Sequence, residues 1–426
     1  MSSLGNINGI ILSVITFSFL GCSGPVTVPN SAAPMGTSVN AVNPIQHIVV
    51  IMQENRSFDN LFNGFPGADS VQAGMNYGVS VPLQPTPLGN GPDLDHTHTN
   101  WWRQWDYGKM DGFANEGTLL PYSYIQPSEV APYWTLAAAY TLGDRMFQSN
   151  TGPSFVAHQY MIAGQSGNSS ENPNSNIWGC DADPSASVAL IGPNGTDLPG
   201  VYPCFDYQTM ADLLDAKGVS WKYYAPGTDD SFFIISAFQA IRHIRFGPDW
   251  QNNVISPETN FLNDIKSGNF SQVTWIVPTF NNSDHPGAPA QGPDWVASLV
   301  NAIGESPYWN STVIFVSWDD WGGWYDHVNP PQVDDMGLGF RVPVLVISPY
   351  AKHGYISHVD HESGGFLRYM EEVFNLPSLG ARDSVSDDFT DCFDYTQKPT
   401  PLQKVPVQHS REFFLRQKPS GAPDDD

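Results

Sequence analysis

The run QHIVVIM at residues 46–52 is rich in β-branched side chains and is followed at once by Gln53, Glu54 and Asn55. A short apolar run that ends abruptly in polar residues predicts a buried strand. Because the chain leaves the pleat at this point, adjacent polar side chains can both turn into a cleft. The stretch therefore predicts a strand that delivers Glu54 and Asn55 to an edge of the sheet.

Later parts of the chain repeat this pattern. Three further apolar runs are VTWIV at 273–277, TVIFVS at 312–317 and VPVLVIS at 342–348. Helical patterns lie between them, at 207–216 and 295–303. Strands that alternate with helices predict the α/β class, with a mostly parallel central sheet covered on both faces. Open sheets of this kind usually place their sites just beyond the strand ends.

The chain has 426 residues, of which 41% are hydrophobic, enough for a large buried core. Its formal charge is −25, from 43 acidic and 18 basic residues. Such a surface repels nucleic acid and anionic membranes, so neither is expected as a partner. An anionic substrate would need a local cation at its site, for which a metal ion is suited.

The N-terminal segment resembles an export signal. Residues 10–20 form an apolar run too short to span a bilayer, so residues 1–22 are predicted to be a signal peptide. The run ends FLGC at 19–22, which resembles a bacterial lipoprotein cleavage site with a lipid anchor at Cys22; an ordinary signal peptide is the alternative. The expected location is exported: periplasmic, membrane-anchored or secreted. Residues 23–43 are predicted to be a flexible tether.

The remaining organisation follows from composition. A catalytic domain is predicted over 44–398, and the polar, proline-containing segment 399–426 is predicted to be a solvated tail. The four cysteines match no zinc-binding spacing. In an oxidising compartment Cys180 and Cys204 are predicted to form a disulfide, which leaves Cys392 as a buried thiol.

Two oxygen-rich pairs are candidate ligands of one divalent metal ion, whose identity the sequence does not give. Glu54 and Asn55 follow the first strand, and Asp319 and Asp320 follow the strand that ends near residue 317. Carboxylate and amide oxygens suit a hard cation, and adjacent carboxylates repel each other without one. The alternatives are a helix cap or glycosylation sequon for the first pair, and an acidic surface turn for the second.

Ser154 is the candidate nucleophile. It follows Gly-Pro and precedes a predicted helix over 155–162, so its hydroxyl should lie beside unpaired backbone N–H groups that favour a phosphate oxygen. A plain helix cap is the alternative.

The candidate catalytic histidines are His96, His285 and His327, each next to an aspartate in the sequence. Histidine can donate to phosphate or protonate a leaving group near neutral pH. Structural roles are the alternative for each of them.

These motifs occur in a fixed order: the block at 48–62, DHTH at 95–98 with GKMDGF at 108–113, TGPS at 151–154, DHP at 284–286, the stretch 318–331, and GFRVP at 339–343 with the run to 350. Together they resemble the phosphoesterase family that holds bacterial and plant non-specific phospholipases C and an acid phosphatase branch. The resemblance covers about residues 46–395.

The resemblance implies an alkaline-phosphatase-like three-layer α/β/α sandwich and metal-dependent hydrolysis of phosphate esters, with phospholipids among the candidate substrates. It implies that Ser154 attacks phosphorus and forms a phosphoserine. By motif, the metal ligands are Glu54, Asn55, Asp319 and Asp320, the phosphate or leaving group is contacted by His96, His285 and His327, and Lys109 reaches the phosphate.

This chain departs from the phospholipase branch in three places. That branch usually has Thr at the nucleophile, Asp-Glu-His-Gly-Gly where this chain has DDWGG at 319–323, and Pro-Asn-Arg where this chain has Val156, Ala157 and His158. The first two departures are more similar to the phosphatase branch. Residues 232–235, with Trp321 and Trp324, could line an apolar surface that accepts acyl chains, although a core helix is the commoner interpretation of 232–235.

Two other functions are alternatives. One is a non-catalytic surface module that binds phosphorylated or lipid ligands; the presence of every candidate ligand and of the hydroxyl argues against it. The other is a sulfatase-like hydrolase, whose Cys/Ser-x-Pro-x-Arg setting is missing around Ser154.

Overall fold

The computed structural model describes residues 43–421. The predicted signal peptide, nearly all of the predicted tether, Cys22 and residues 422–426 lie outside the described residues. The described chain forms fifteen β-strands: β1 His47–Gln53, β2 Ala73–Asn76, β3 Val79–Pro82, β4 Gln84–Thr86, β5 Ser123–Ile125, β6 Thr141–Phe147, β7 Val188–Gly192, β8 Thr196–Val201, β9 Trp221–Tyr224, β10 Val254–Ile255, β11 Val273–Ile276, β12 Thr312–Trp318, β13 Arg341–Ile347, β14 Tyr355–Ser357 and β15 His361–Glu362.

The same range contains eleven α-helices: α1 Phe58–Phe62, α2 His98–Trp105, α3 Ala131–Ala139, α4 Ser154–Ala163, α5 Met210–Lys217, α6 Arg242–Arg245, α7 Pro248–Asn253, α8 Asn260–Ser267, α9 Gly292–Gly304, α10 Gly364–Phe374 and α11 Arg411–Phe414. None of these helices is long and apolar enough to cross a membrane.

Nine strands form the central sheet, in the order β10-β9-β11-β1-β12-β13-β6-β14, with β15 also paired to β6. All neighbouring pairs are parallel except those of β13, which runs antiparallel to β12 and β6. The four strands predicted from the sequence are β1, β11, β12 and β13. The predicted mostly parallel sheet is confirmed.

Both faces of the sheet are covered, because every residue of β12 and β13 is buried. Helices α3, α8 and α9 contact one another in one group, and α4, α5 and α10 in another. The side chains of the central strands and of these helices belong to one continuous hydrophobic core. The expected α/β/α sandwich is therefore the architecture of this chain.

The register of β1 and β12 positions the candidate site. These strands are parallel neighbours, and Gln53 at the end of β1 pairs with Trp318 at the end of β12. Glu54 and Asn55 therefore leave the sheet beside Asp319 and Asp320. Two pairs that are far apart in the sequence therefore meet at the carboxyl ends of two central strands.

The predicted disulfide between Cys180 and Cys204 is present, and Cys392 is a free, buried cysteine. Most of the described residues of the predicted tail beyond 399 are exposed, but part of the segment packs against the main core. Val405 and Phe414 are buried in the main core, and the backbone N–H of Ser420 donates to Asp230 Oδ2. A few apolar side chains therefore attach this polar segment to the core.

Candidate active site

Hydrogen bonds tie the ends of β1 and β12 together. The backbone N–H of Asn55 donates to Asp319 Oδ1 at 2.9 Å, and that of Arg56 donates to the carbonyl oxygen of Asp320 at 3.0 Å. Asn55 has a positive φ of 60°, which turns the chain sharply at this point. A Cβ at Gly322 would collide with the Asn55 carbonyl group, so this close approach requires a glycine.

The four predicted metal ligands form a buried, oxygen-rich cluster. Glu54, Asn55, Asp319 and Asp320 are each at most 1% exposed. Asn55 Oδ1 and Asp319 Oδ2 have no hydrogen-bond partner among the described residues. Buried polar oxygens without partners are costly, and buried carboxylates need compensating charge. The cluster is therefore suited to a cation.

His158 belongs to the same cluster, although it was not predicted as a site residue. Its Nε2 lies 3.2 Å from Glu54 Oε1 and 3.8 Å from Asp319 Oδ2. Burial lowers the pKa of His158 to about 4, and the charge of Asp319 offsets only part of this effect. His158 is therefore neutral near pH 7, as a metal-binding imidazole must be.

Ser154 is the first residue of α4 and is buried beside the second pair of carboxylates. Its hydroxyl lies 3.4 Å from Asp320 Oδ2 and donates to it. The expected free N–H groups at this helix end are largely occupied. Phe155 N–H donates to Asn172 Oδ1, and the N–H groups of Val156 and Ala157 donate to the Pro153 carbonyl. Local capping therefore removes three of the donors that the sequence analysis assigned to phosphate.

His96 orients the amide of Asn55. Its Nδ1 lies 2.7 Å from the Leu94 carbonyl oxygen, which can only accept, so Nδ1 carries a proton in this arrangement. Its Nε2 lies 3.0 Å from Asn55 Nδ2, which donates to it, and 3.9 Å from Asp320 Oδ2. Because Asn55 Nδ2 points to His96, Asn55 Oδ1 points away from His96. This orientation suits an oxygen that binds a metal ion.

His285 lies near His96, and Asp93 is between them. Asp93 Oδ1 is 3.9 Å from His96 Nδ1, and Asp93 Oδ2 is 3.9 Å from His285 Nε2. His285 Nδ1 lies 2.8 Å from the Pro286 carbonyl oxygen. Asp93 and His96 also line a cleft of about 640 Å³ that reaches Pro153, the residue before Ser154; its other lining residues are Leu94, Asp95, Thr97, Glu171, Asn172, Pro173 and Asn174.

The ordered motifs around this cluster match those of a known protein family. A model of the Phosphoesterase family matches residues 45–377, a range that contains every candidate residue described above. The chain belongs to the Phosphoesterase family. It is accordingly a phosphoric ester hydrolase, and the resemblance stated from its motifs is confirmed.

Curated relatives agree with this phosphoesterase assignment. Phospholipase C B of Mycobacterium tuberculosis is 26% identical, and the alignment covers 95% of this chain and 88% of that protein. Hemolytic phospholipase C of Pseudomonas aeruginosa is 26% identical, with 87% of this chain and 59% of that protein covered. A solved structure of a protein in the alkaline phosphatase superfamily from Vibrio parahaemolyticus is 11% identical, with a TM-score of 0.42 over 81% of this chain and 70% of that chain.

Two of the phosphoesterase residues carried over by motif are not brought to the cluster. His327 Nδ1 lies 2.6 Å from Asp59 Oδ2, and its Nε2 lies 3.1 Å from Asp69 Oδ1. Burial would lower the pKa of His327, but its hydrogen bond to Asp59 and the Asp59 charge raise it. Lys109 is a largely exposed side chain that pairs with Asp106 at 2.7 Å. His327 is close to Asp319 and Asp320 in the sequence, but its side chain pairs with other residues.

The apolar surface considered for acyl chains is also not formed. Phe232, Ile234 and Ile235 are buried in the main core, which agrees with the commoner interpretation of this run. Trp321 and Trp324 are at most 1% exposed. The Trp321 indole N–H donates to Gln104 Oε1, and the Arg56 guanidinium lies over the Trp324 ring. These aromatic side chains support the cluster instead of facing solvent.

The described residues fit the metal ion that the motif match implies. Atoms of Glu54, His158 and Asp319 lie within 4.8 Å of one another, close enough to bind one ion. Asn55 Oδ1 and Asp319 Oδ2 supply the buried oxygens without partners. Carboxylate and amide oxygens with one imidazole suit a divalent cation.

Proposed function

We propose that this chain hydrolyses phosphate esters with Ser154 as the nucleophile and with a divalent metal ion at the neighbouring cluster. Glu54, Asn55, Asp319 and Asp320 would hold the ion, and His158 would complete or orient this set. When bound, such an ion stabilises negative charge on a phosphoryl group and lowers the pKa of a nearby hydroxyl group.

One observation carries the proposal. The hydroxyl of Ser154 donates to Asp320, a member of the buried cluster in which Asn55 Oδ1 and Asp319 Oδ2 lack partners. A nucleophile next to a group that can accept its proton is the usual arrangement for covalent catalysis. A serine cap with no chemical role has no need of this acidic, buried neighbourhood.

In the proposed reaction, different residues of the chain have different roles. Asp320 Oδ2 orients the Ser154 hydroxyl and is placed to take its proton as Oγ attacks phosphorus. The bond from phosphorus to the leaving oxygen breaks, which gives a phosphoserine that water hydrolyses in a second step. His96 keeps the Asn55 amide oriented, and the buried α4 holds Ser154 in place. Preorganisation of this kind lowers the cost of reaching the transition state.

The charge of the cleft indicates where the leaving group of the substrate would bind. Asp93, Asp95 and Glu171 line it beside His96 and Pro153. Carboxylates repel an anionic leaving group and attract a cationic one. We therefore place the leaving alcohol in this cleft and expect neutral or cationic alcohols to be preferred. The curated relatives named phospholipase C support phosphodiesters among the substrates, because their alignments span nearly the whole chain.

The nucleophile is tested by two substitutions at one position. Ser154→Ala should lower kcat/KM for p-nitrophenyl phosphate by about a thousandfold or more, because no hydroxyl remains beside Asp320. Ser154→Thr keeps a hydroxyl and should retain measurable phosphoenzyme formation. Circular dichroism checks that both variants fold. Full activity in folded Ser154→Ala would remove Ser154 from the reaction.

The metal site is tested by metal content alongside activity. Asp319→Asn should lower the bound divalent metal and the activity together, because it removes an anionic ligand with little change in shape. Asp106→Asn, a surface substitution at the partner of Lys109, is the matched control and should change neither quantity. Metal analysis of the dialysed proteins gives the comparison. Unchanged metal content in Asp319→Asn would contradict the assigned ligand set.

A further inference from the structure

A second group of metal-ligating side chains lies outside the proposed reaction. It consists of His361 on β15 and of Asp391 and Cys392, in the short turn Thr390–Cys392. His361 and Cys392 are completely buried, and the Asp391 side chain is 23% exposed. No step of the proposed mechanism uses these residues, and none of them belongs to the motifs of the resemblance.

The candidate ligand atoms of this group lie close together, and His361 Nε2 also lies 2.9 Å from Ser357 Oγ. His361 Nε2 lies 3.6 Å from Asp391 Oδ1 and 4.0 Å from Cys392 Sγ, and Cys392 Sγ lies 3.4 Å from Asp391 Oδ1. Ligands around a tetrahedral ion with bonds of about 2.0–2.3 Å are separated by roughly 3.3–3.8 Å. The observed separations are close to this range.

The other polar atoms of these ligands are held by further side chains. His361 Nδ1 lies 2.8 Å from Asp387 Oδ2, an arrangement that fixes ring orientation in many metal sites. Asp391 Oδ2 accepts hydrogen bonds from the hydroxyls of Ser357 and Tyr355, so Oδ1 is the oxygen turned towards the other two ligands. The His361 ring also stacks on Phe389, with ring centroids 4.2 Å apart.

In a similar group of side chains elsewhere in the chain, an arginine compensates the negative charge. Asp59, Asp326 and His327 also lie close enough to share an ion, but Arg341 occupies their centre. Its Nε lies 2.8 Å from Asp326 Oδ1, and its Nη2 lies 3.4 Å from Asp59 Oδ1. No lysine or arginine of the described chain forms an ion pair with Asp387 or Asp391. The cation of the Asp59 group is therefore Arg341, whereas the ion pairs of Asp387 and Asp391 among the described residues are with His361, at 2.8 and 3.6 Å.

We propose that His361, Asp391 and Cys392 bind a structural transition-metal ion of the zinc type. One thiolate, one imidazole and one carboxylate oxygen form a donor set that favours zinc over magnesium or calcium. The ion would fasten the turn Thr390–Cys392 to the edge of the central sheet, where β14 and β15 pair with β6. Binding converts the Cys392 thiol to a thiolate and releases its proton to solvent.

Cobalt substitution tests this site independently of the catalytic cluster. The full chain, stripped of metal by a chelator, is titrated with Co²⁺, and the absorption spectrum is recorded. A thiolate-to-cobalt charge-transfer band is expected, because Cys392 supplies sulfur while Cys180 and Cys204 are joined in a disulfide. The catalytic cluster contains no sulfur ligand and cannot give this band.

Three variants separate the outcomes. Cys392→Ser should lose the band, whereas Cys22→Ser and Asp319→Asn should keep it. If Cys392→Ser does not fold, a band that persists in Cys22→Ser still assigns the sulfur to Cys392. Absence of the band in the unmodified chain, or its persistence in folded Cys392→Ser, would mean that the group is only a hydrogen-bond network and would overturn the proposal.

Discussion

Glu258 is a buried carboxyl group near the site edge of the sheet. Its Oε1 accepts a hydrogen bond from Asn282 Nδ2 at 3.2 Å, and the Asn282 carbonyl accepts one from Gln53 at the end of β1. Glu258 Oε2 has no hydrogen-bond partner among the described residues. Burial raises the pKa of Glu258 to about 7, well above the usual range of a glutamate.

This raised pKa predicts a defined dependence of stability on pH. Between the unfolded pKa near 4.5 and the folded pKa near 7, only the folded chain holds the proton. The contribution of Glu258 is therefore complete below about pH 4.5 and is lost as the pH rises through 7, by about 3 kcal/mol. Glu258→Gln should flatten the unfolding free energy over this window, measured by denaturant titration. Asp229→Asn, at an exposed aspartate nearby, is the control; identical slopes in Glu258→Gln and the unmodified chain would refute the prediction.

The strand ends bring together four residues that the sequence analysis had paired. Glu54, Asn55, Asp319 and Asp320 were predicted because each pair directly follows a recognisable buried strand. His158 was not predicted, because its place in the site depends on the direction in which α4 runs across the sheet. It lies one helical turn after Ser154, and this i, i+4 spacing was the signal available in the sequence.

At the scale of elements, β6 shows why part of the sheet was missed. Its sequence TLGDRMF contains Asp144 and Arg145, so it does not resemble a buried strand. Asp144 is nevertheless fully buried, because its carboxylate accepts from the backbone N–H of Asp69 and pairs with His358. The reversed direction of β13 was also not predicted. No helix crosses between β12 and β13, and without that crossover the chain returns antiparallel.

The disulfide gives a prediction for the segment that contains the hairpin of β7 and β8. Cys180 and Cys204 are 24 residues apart and enclose both strands. Replacing both cysteines with serine should lower the free energy of unfolding by about 3 kcal/mol, because the unfolded chain regains the freedom of that loop. Equilibrium denaturation measures the difference. Adding a reductant to the unmodified chain should reproduce the effect, and a stability loss confined to the double variant would instead indicate a packing defect.

At the scale of the whole molecule, charge and burial together predict substrate preference. The net charge of −25 opposes adsorption to anionic lipid, and the aromatic side chains near the cluster are buried. We expect kcat/KM to be higher for p-nitrophenyl phosphate and p-nitrophenyl phosphorylcholine than for phosphatidylcholine micelles. Among lipids, phosphatidylserine vesicles should be the poorest at low salt and should improve as salt screens repulsion. A clear preference for micelles would identify lipid as the better substrate.

The pairing of β1 with β12 predicts how the enzyme should lose activity on heating. Many active sites are carried by loops that open long before the rest of the molecule does. Here the pairs proposed to bind a metal ion extend two neighbouring strands in the middle of the sheet, and hydrogen bonds from backbone N–H groups link the two strand ends. The amide protons of Asn55, Arg56 and Asp319 should therefore exchange with solvent as slowly as those of β1 itself. Thermal inactivation and loss of the fold should be one event, with no warm, folded and inactive state between them.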